Sequence, residues 1–268
     1  MNQTFPGACG NSKHLFGSRT VLATLGISAL IAVGSLARAD MPHASSRAHG
    51  AVVTASVRYA STRATADGLG KTYMGRQIAR VMGWQAANWL ERDTRAAEER
   101  SELLLTALQL RPGLMVADIG AGTGYYSRPI ARQIGPSGQL FAVDVQPQML
   151  RLLQQRAAAD GITNIRPVLA DLRSVNLTVE HIDLALLVDV YHELEFPEEV
   201  LASTVSAMRH GGRVVFVEYR AEDPRVPIKP LHRMSEAQVR KEAAVHGLRW
   251  LRTIETLPWQ HILIFTRP

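Results

Sequence analysis

Residues 111–268 predict an α/β domain: a mostly parallel seven-stranded sheet with helices on both faces and a C-terminal antiparallel hairpin, preceded by extra N-terminal helices. Three observations predict it. Apolar runs of strand length alternate with helical stretches through most of this region. The runs, such as LALLV (184–188) and VVFV (214–217), are apolar throughout rather than at every second residue, the pattern of strands covered on both faces. Two strand-like segments then follow each other closely at the end, as a hairpin at one edge requires.

The chain has 268 residues, 46% hydrophobic and 20% charged, enough for one sizeable core. Residues 1–39 differ from the rest. They contain no acid; Lys13 and Arg19 precede the apolar stretch Thr20 to Leu36, and Ala37-Arg38-Ala39 follows. A basic start, an apolar middle and an A-x-A site are expected of a secretory signal peptide, with the exported, periplasmic chain starting at Asp40. The alternatives are a retained membrane anchor and a translation start at Met41 or Met74. Two glycines, Gly26 and Gly34, and a short apolar stretch favour cleavage over an anchor. Removing 1–39 takes Lys13, Arg19 and Arg38 and no acid, so the net charge falls from +6 to +3. The remaining arginines form no basic run, and no nucleic-acid partner is expected. Association with a membrane surface stays open. The only cysteine, Cys9, lies in the leader, which excludes disulfides and thiol chemistry from the mature chain.

Residues 40–70, small, polar and aperiodic, are expected to be a flexible linker. Residues 71–110 are expected to be a helical cap. Met74, Ile78, Val81 and Met82 fall at helical spacing, and a second helix over Asp93 to Leu110 stops at Arg111-Pro112-Gly113. The domain follows over 111–268. LMVADIG is a strand, YYSRPIARQIG a helix, QLFAVDV a strand and PQMLRLLQQRAAADG a helix. IRPVLAD and IDLALLVDVY are strands, and PEEVLASTVSAMRHG is a helix with Pro197 in its first turn. After the strand RVVFVEY comes the helix SEAQVRKEAAVHG, with Ser235 as N-cap and Gly247 as stop. LRWLRTIETL and QHILIFTRP form the hairpin.

The first strand runs into VADIGAGTGYYS (116–127). A dinucleotide fingerprint needs G-x-G-x-x-G, but the third place here is Tyr125; a P-loop needs G-K-[ST], which is absent. Without that lysine the loop is poorly equipped for a triphosphate.

Asp118 with Gly120, Gly122 and Gly124 resembles the first motif of the class I S-adenosylmethionine-dependent methyltransferases, and the resemblance runs over about 110 to 267. The second strand ends in Asp144-Val145, where that family's acid binds the ribose hydroxyls. The third ends in Asp171-Leu172, where its acid meets the adenine amino group. The fourth runs into DVYHELEFPEEVL, similar to the motif beside the methyl donor, and HGGRVVFVEY is similar to the fifth-strand motif. The resemblance implies a Rossmann-like sheet of strand order 3-2-1-4-5-7-6 and S-adenosyl-L-methionine as cofactor. The stretch VEYRAEDPRVPIKPLHRMSEAQVRKEAAVHGLRW further resembles the ubiquinone/menaquinone methyltransferase-like group, which implies a small-molecule methyl acceptor.

Physical chemistry assigns the roles within that frame. The ligand crevice of such a sheet lies at the strand carboxyl ends, so the three glycines are expected to let the cofactor lie on bare backbone. Tyr125 follows them, and Asp118 is expected to attract the cationic methionine end. A carboxylate suits a vicinal diol, hence Asp144. Asp189 and Tyr191 complete the cofactor side, Tyr191 as a cation–π wall or as a plain core aromatic. His192 is the candidate base, with a structural histidine as the alternative, and Glu218 is a second candidate. Tyr73, Met74, Arg76 and Trp84 are expected on the N-terminal helices, which the resemblance implies to be a lid, with a helix packed on the sheet as the alternative, and His232 with Arg233 is a candidate to face the substrate. Asp189 matches the first acid of metal-dependent O-methyltransferases, but VEYRAED lacks their Asp-Asn pair, and the nine histidines lack ligand spacing, so no metal is expected. The alternative to methyl transfer is an exported nucleoside-binding sensor on the same scaffold. Export is the reason to keep it, because the donor is made in the cytosol. An oxidoreductase is disfavoured by the glycine spacing. The acceptor, its reacting atom and the oligomeric state are not legible.

Overall fold

The computed structural model describes residues 58–178 and 181–268. The leader expected over 1–39 and the linker residues 40–57 lie outside them.

Three short strands come first: β1 (Tyr59–Ser61), β2 (Gly68–Tyr73) and β3 (Arg76–Ala79), in one antiparallel sheet of order β1-β2-β3. The linker expected up to residue 70 and the helix expected from Tyr73 are corrected here. Tyr73 pairs with Arg76 across a two-residue turn in which Met74 (φ 49°) and Gly75 (φ 99°) are both left-handed. That turn matches strand twist and demands a residue such as glycine. The spacing of Met74, Ile78, Val81 and Met82 imitates a helix, but the turn decides. The small sheet is fastened by its side chains. Tyr59 Oη donates to Glu199 at 2.6 Å, its ring lies 5.0 Å from that of Tyr73, and the Lys71 ammonium sits 3.4 Å over the Phe196 ring.

Next come α1 (Ala87–Leu90), α2 (Arg95–Glu99) and α3 (Ser101–Ala107). The single helix expected over Asp93 to Leu110 is broken at Arg100, whose left-handed φ of 52° turns the chain so that Leu104 and Leu108 reach the sheet.

The domain then alternates as its sequence predicts: β4 (Met115–Ile119), α4 (Ser127–Ile134), β5 (Gln139–Asp144), α5 (Pro147–Ala159), β6 (Ile165–Leu169) and β7 (Ile182–Val188). After β7 come α6 (Pro197–Ala207), β8 (Met208–Tyr219), α7 (Glu236–Ala244), β9 (Arg249–Ile254) and β10 (Gln260–Thr266). The Ser235 cap is present, its side chain accepting from the Gln238 N–H. The sheet order is β6-β5-β4-β7-β8-β10-β9, with β10 antiparallel to both neighbours. Counting from β4 this is 3-2-1-4-5-7-6. Alternate residues of each strand enter opposite layers. Ala117, Leu263 and Phe265 pack with α6 and α7; Val116, Ile262 and Ile264 pack with α3 and α4. The order reverses between β4 and β7, and their carboxyl ends open there. Among the described residues no helix is long and apolar enough to cross a membrane.

Candidate active site

A cavity of about 610 Å³ lies over the carboxyl ends of β4, β5, β7 and β8. Gly120, Asp144 and Asp171 line it, and so do His192, Glu193 and His232. The chain between β3 and α2 crosses its mouth. Gln146 pins that segment, accepting from the Trp84 N–H at 2.8 Å and donating to the Met82 carbonyl at 2.9 Å.

The glycine loop lies partly at the cavity. Gly120, Gly122 and Gly124 have φ of 71°, 55° and 83°, which side chains rarely adopt. Only Gly120 and Gly122 line the cavity. A Cβ on Gly120 would lie 2.3 Å from Val190 Cγ2, and one on Gly124 would lie 2.7 Å from Leu153 Cγ. These glycines are therefore required by packing within the protein as well as by any ligand. Tyr125 turns away as well: its hydroxyl lies 3.0 Å from Ser101 Oγ and Arg95 covers its ring.

Asp144 is where the resemblance puts it. One carboxylate oxygen accepts from the Gly122 N–H at 2.9 Å and the other from the Gln146 N–H at 2.8 Å, which fixes the plane of the group and leaves lone pairs facing the cavity. Burial raises its pKa from the ordinary value against the lowering effect of those two bonds. Val145 and Leu172 line the cavity, and Asp171 holds its own turn through the Arg173 N–H at 2.7 Å.

Asp118 does not line the cavity. It is buried behind the loop with Ser127 Oγ at 2.5 Å, so it shapes the turn rather than touching a ligand. Burial pushes its carboxyl up to about 6 from 3.8. The consequence can be measured. Between about pH 4 and 6 the folded chain keeps a proton that the unfolded chain has released, so stability falls as pH rises through that window. The full penalty, up to about 3 kcal/mol, is present above the folded pKa. Asp118→Asn is expected to raise the urea midpoint at pH 8 and to leave it nearly unchanged at pH 4. Equal shifts at both pH values would show that the carboxylate carries no such penalty.

Asp189 lines the cavity in a left-handed conformation (φ 50°), with Oδ2 accepting from Gln260 Nε2 at 3.2 Å and Oδ1 buried without a protein partner. Its pKa is well above the ordinary value, first through burial, then through Glu99 and Glu218; Arg95 opposes the shift. Arg95 is a residue the sequence reading missed. It lines the same cavity, buried, and donates to Glu99 at 3.0 Å. The i,i+4 spacing of Arg95 and Glu99 was the available signal, but it reads equally as a surface pair.

Tyr191 is a core aromatic. It is fully buried, with its ring 4.9 Å from Phe216 and Arg76 over its face, so the cation–π wall on the cofactor is corrected. Glu218 is fully buried too and does not line the cavity. Its Oε1 accepts from the Tyr191 N–H at 3.0 Å and its Oε2 lies 2.5 Å from His192 Nδ1. As a base acting directly on substrate it is corrected to a residue that orients His192. Burial works against a charged His192, but the Glu218 carboxylate overrides it and raises the pKa. His192 Nε2 faces His232 Nδ1 at 3.2 Å. Two histidines without ligand spacing in the sequence are thus neighbours in space, with Glu193 beside them.

Residues 116–212 match the family described as "Methyltransferase domain". Over 111 residues the chain is 32% identical to the ubiquinone/menaquinone biosynthesis C-methyltransferase UbiE of Cupriavidus taiwanensis, covering 41% of this chain and 45% of that one. It is 29% identical to UbiE of Ectopseudomonas mendocina, covering 41% and 43%. The chain therefore spans less than half the length of these curated relatives. In fold it is similar to a SAM-dependent methyltransferase from Aquifex aeolicus, with a TM-score of 0.66 and 20% identity over 70% of this chain and all of that one. The strand order, the glycine loop and Asp144 at the second strand end agree with that match, and the seven-stranded domain has the fold of the class I S-adenosylmethionine-dependent methyltransferases, to which residues 116–212 are similar.

Proposed function

We propose that the protein transfers a methyl group from S-adenosylmethionine to a small, lipophilic acceptor. The observation that carries this reading is that one cavity is lined both by Gly120, Asp144 and Asp171 and by His192 and His232. The residues suit the cofactor. Asp144 offers two fixed acceptor oxygens to a vicinal diol, and Asp171 stands at the rim for an amino group. Arg95 and Asp189 line the same cavity, a cation beside an acid, a pairing complementary to the carboxylate and ammonium of an amino-acid head. When bound, S-adenosylmethionine supplies a methyl group on a sulfonium, and displacement in line by an acceptor lone pair leaves the electrons of the broken carbon–sulfur bond on sulfur. The chain's part is to orient the two partners and exclude water. His192, held by Glu218, is the side chain placed at the acceptor end. Exposed Val81, Trp89 and Leu172 line the mouth and favour an apolar acceptor. Export to the periplasm belongs to the same proposal and rests on residues 1–39.

Titration calorimetry of the full-length protein with S-adenosylmethionine, and separately with NAD⁺, tests the reading. Micromolar binding of the sulfonium donor without binding of NAD⁺ is expected. Folded protein that binds neither would overturn the assignment.

A further inference from the structure

We propose that His192, Glu193 and His232 form a binding site for one divalent cation of the Zn²⁺ type, which takes an acceptor through a hydroxyl oxygen. The metal site stands on geometry alone; its role in methyl transfer rests on the function proposed above.

The three ligand atoms come from two short turns, Tyr191–Glu193 after β7 and Pro230–His232 after β8, which the fold brings together at the acceptor end of the cavity. His192 Nε2 and His232 Nδ1 are 3.2 Å apart, His232 Nδ1 and Glu193 Oε1 3.3 Å, and His192 Nε2 and Glu193 Oε1 3.9 Å. Ligands at zinc distances on the corners of a tetrahedron are separated by about 3.3–3.5 Å. The triangle is thus close to one face of such a site, with the remaining position toward the cavity that all three residues line.

The hydrogen bonds around the triangle point the same way. His192 Nδ1 lies 2.5 Å from the Glu218 carboxylate, which holds the ring with Nε2 toward His232 and Glu193. Glu218 then plays the part of the carboxylate that orients a metal-bound histidine, and it is itself fixed by the Tyr191 N–H. Glu193 is fixed at its other oxygen, which accepts from the Met82 N–H at 3.3 Å in the segment across the cavity mouth.

Two imidazoles and one carboxylate suit borderline ions over Mg²⁺, which prefers an all-oxygen shell. Three protein ligands leave room for an exogenous one, the arrangement of catalytic rather than structural zinc sites. Between the apolar rim and this cation, the acceptor class is an apolar molecule bearing a hydroxyl. In the reaction the hydroxyl proton leaves to water, the oxygen forms the bond to the methyl carbon, and the carbon–sulfur bond breaks toward sulfur. The cation's charge favours loss of that proton.

The test uses the full-length protein stripped with a chelator and titrated with Zn²⁺, and with Co²⁺ for its visible absorption. One equivalent is expected, with Co²⁺ bands of a four- or five-coordinate nitrogen–oxygen site. Glu218→Gln is expected to lower affinity about 10- to 100-fold, and His232→Ala and Glu193→Gln at least as much. Circular dichroism checks that each variant is folded. Absence of binding, or binding that all three variants leave unchanged, overturns the site, the latter because other histidines of the chain would then hold the ion. S-adenosylmethionine titration of the same samples separates the two readings. Cofactor binding without metal binding overturns the site and keeps the function, whereas metal binding without cofactor binding keeps the site and overturns its role.

Discussion

Asp144→Ala is expected to weaken S-adenosylmethionine binding by about 30- to 700-fold. The carboxylate offers a vicinal diol two charge-assisted hydrogen bonds, and their loss amounts to about 2–4 kcal/mol. Its plane is set by the Gly122 and Gln146 N–H groups, so the oxygens are already aimed before the ligand arrives. Gly122 and Gln146 both line the cavity, so water is expected to replace the lost acceptor in the variant. The folded state should therefore survive with little change in melting temperature. Asp144→Asn keeps one acceptor oxygen and is expected to fall between the two. Calorimetric titration of the three proteins gives the ratio directly. Unchanged affinity in the alanine variant would remove the diol-binding role from Asp144.

The largest loss of stability is expected from Glu242→Ala. Glu242 is fully buried on α7 and holds Arg76 through two bonds, Nε at 2.7 Å and Nη2 at 3.1 Å. The same guanidinium donates to the His192 carbonyl at 3.2 Å and the Tyr191 carbonyl at 3.4 Å. Removing the carboxylate leaves a buried cation without its partner, which costs about 3–5 kcal/mol. For a domain of this size the melting temperature should drop by roughly 6–20 °C. The double variant Arg76→Met with Glu242→Leu removes both charges and is expected to recover most of the loss, because a well-packed apolar pair avoids the desolvation cost. Scanning calorimetry of both variants decides. Equal losses in the single and double variants would mean that packing, not the uncompensated charge, sets the cost. Because Arg76 also ties down the turn that carries His192, the single variant should weaken any ligand held at that end of the cavity.

Much of the fold was legible because its determinants are local. Buried parallel strands require long apolar runs, and the stretches around Ala117, Leu186 and Phe216 are apolar on both faces. The Ser235 cap and the Pro197 helix start are likewise local signals. The same reliance on local pattern misled the reading at 73–82. There the spacing of four apolar residues suggested a helix, while two left-handed residues, Met74 and Gly75, turn the chain back on itself. At Arg100 the break has no sequence signal, since arginine is a good helix former; the packing of Leu104 and Leu108 against the sheet decides it.

The site divides along the same line. Asp144 and Asp171 were readable because each follows a strand, and in a sheet of this order the strand carboxyl ends meet at one crevice. Whether a neighbour of such a residue faces the crevice or the core turns on backbone angles and on what packs behind it. Asp118, Gly124, Tyr125, Tyr191 and Glu218 all face inward for that reason. Over residues 111–268 the sequence by itself determined the order of strands and helices, the glycine loop and the acids at the strand ends, because hydrophobic period, turn chemistry and capping act within a few residues. Only the tertiary structure decided that Arg95 and Asp189 line one cavity, that Arg76 secures the turn carrying His192, and that His192, Glu193 and His232 converge. Those contacts join elements far apart in the chain, and they form only when burial of the two apolar layers brings the elements together.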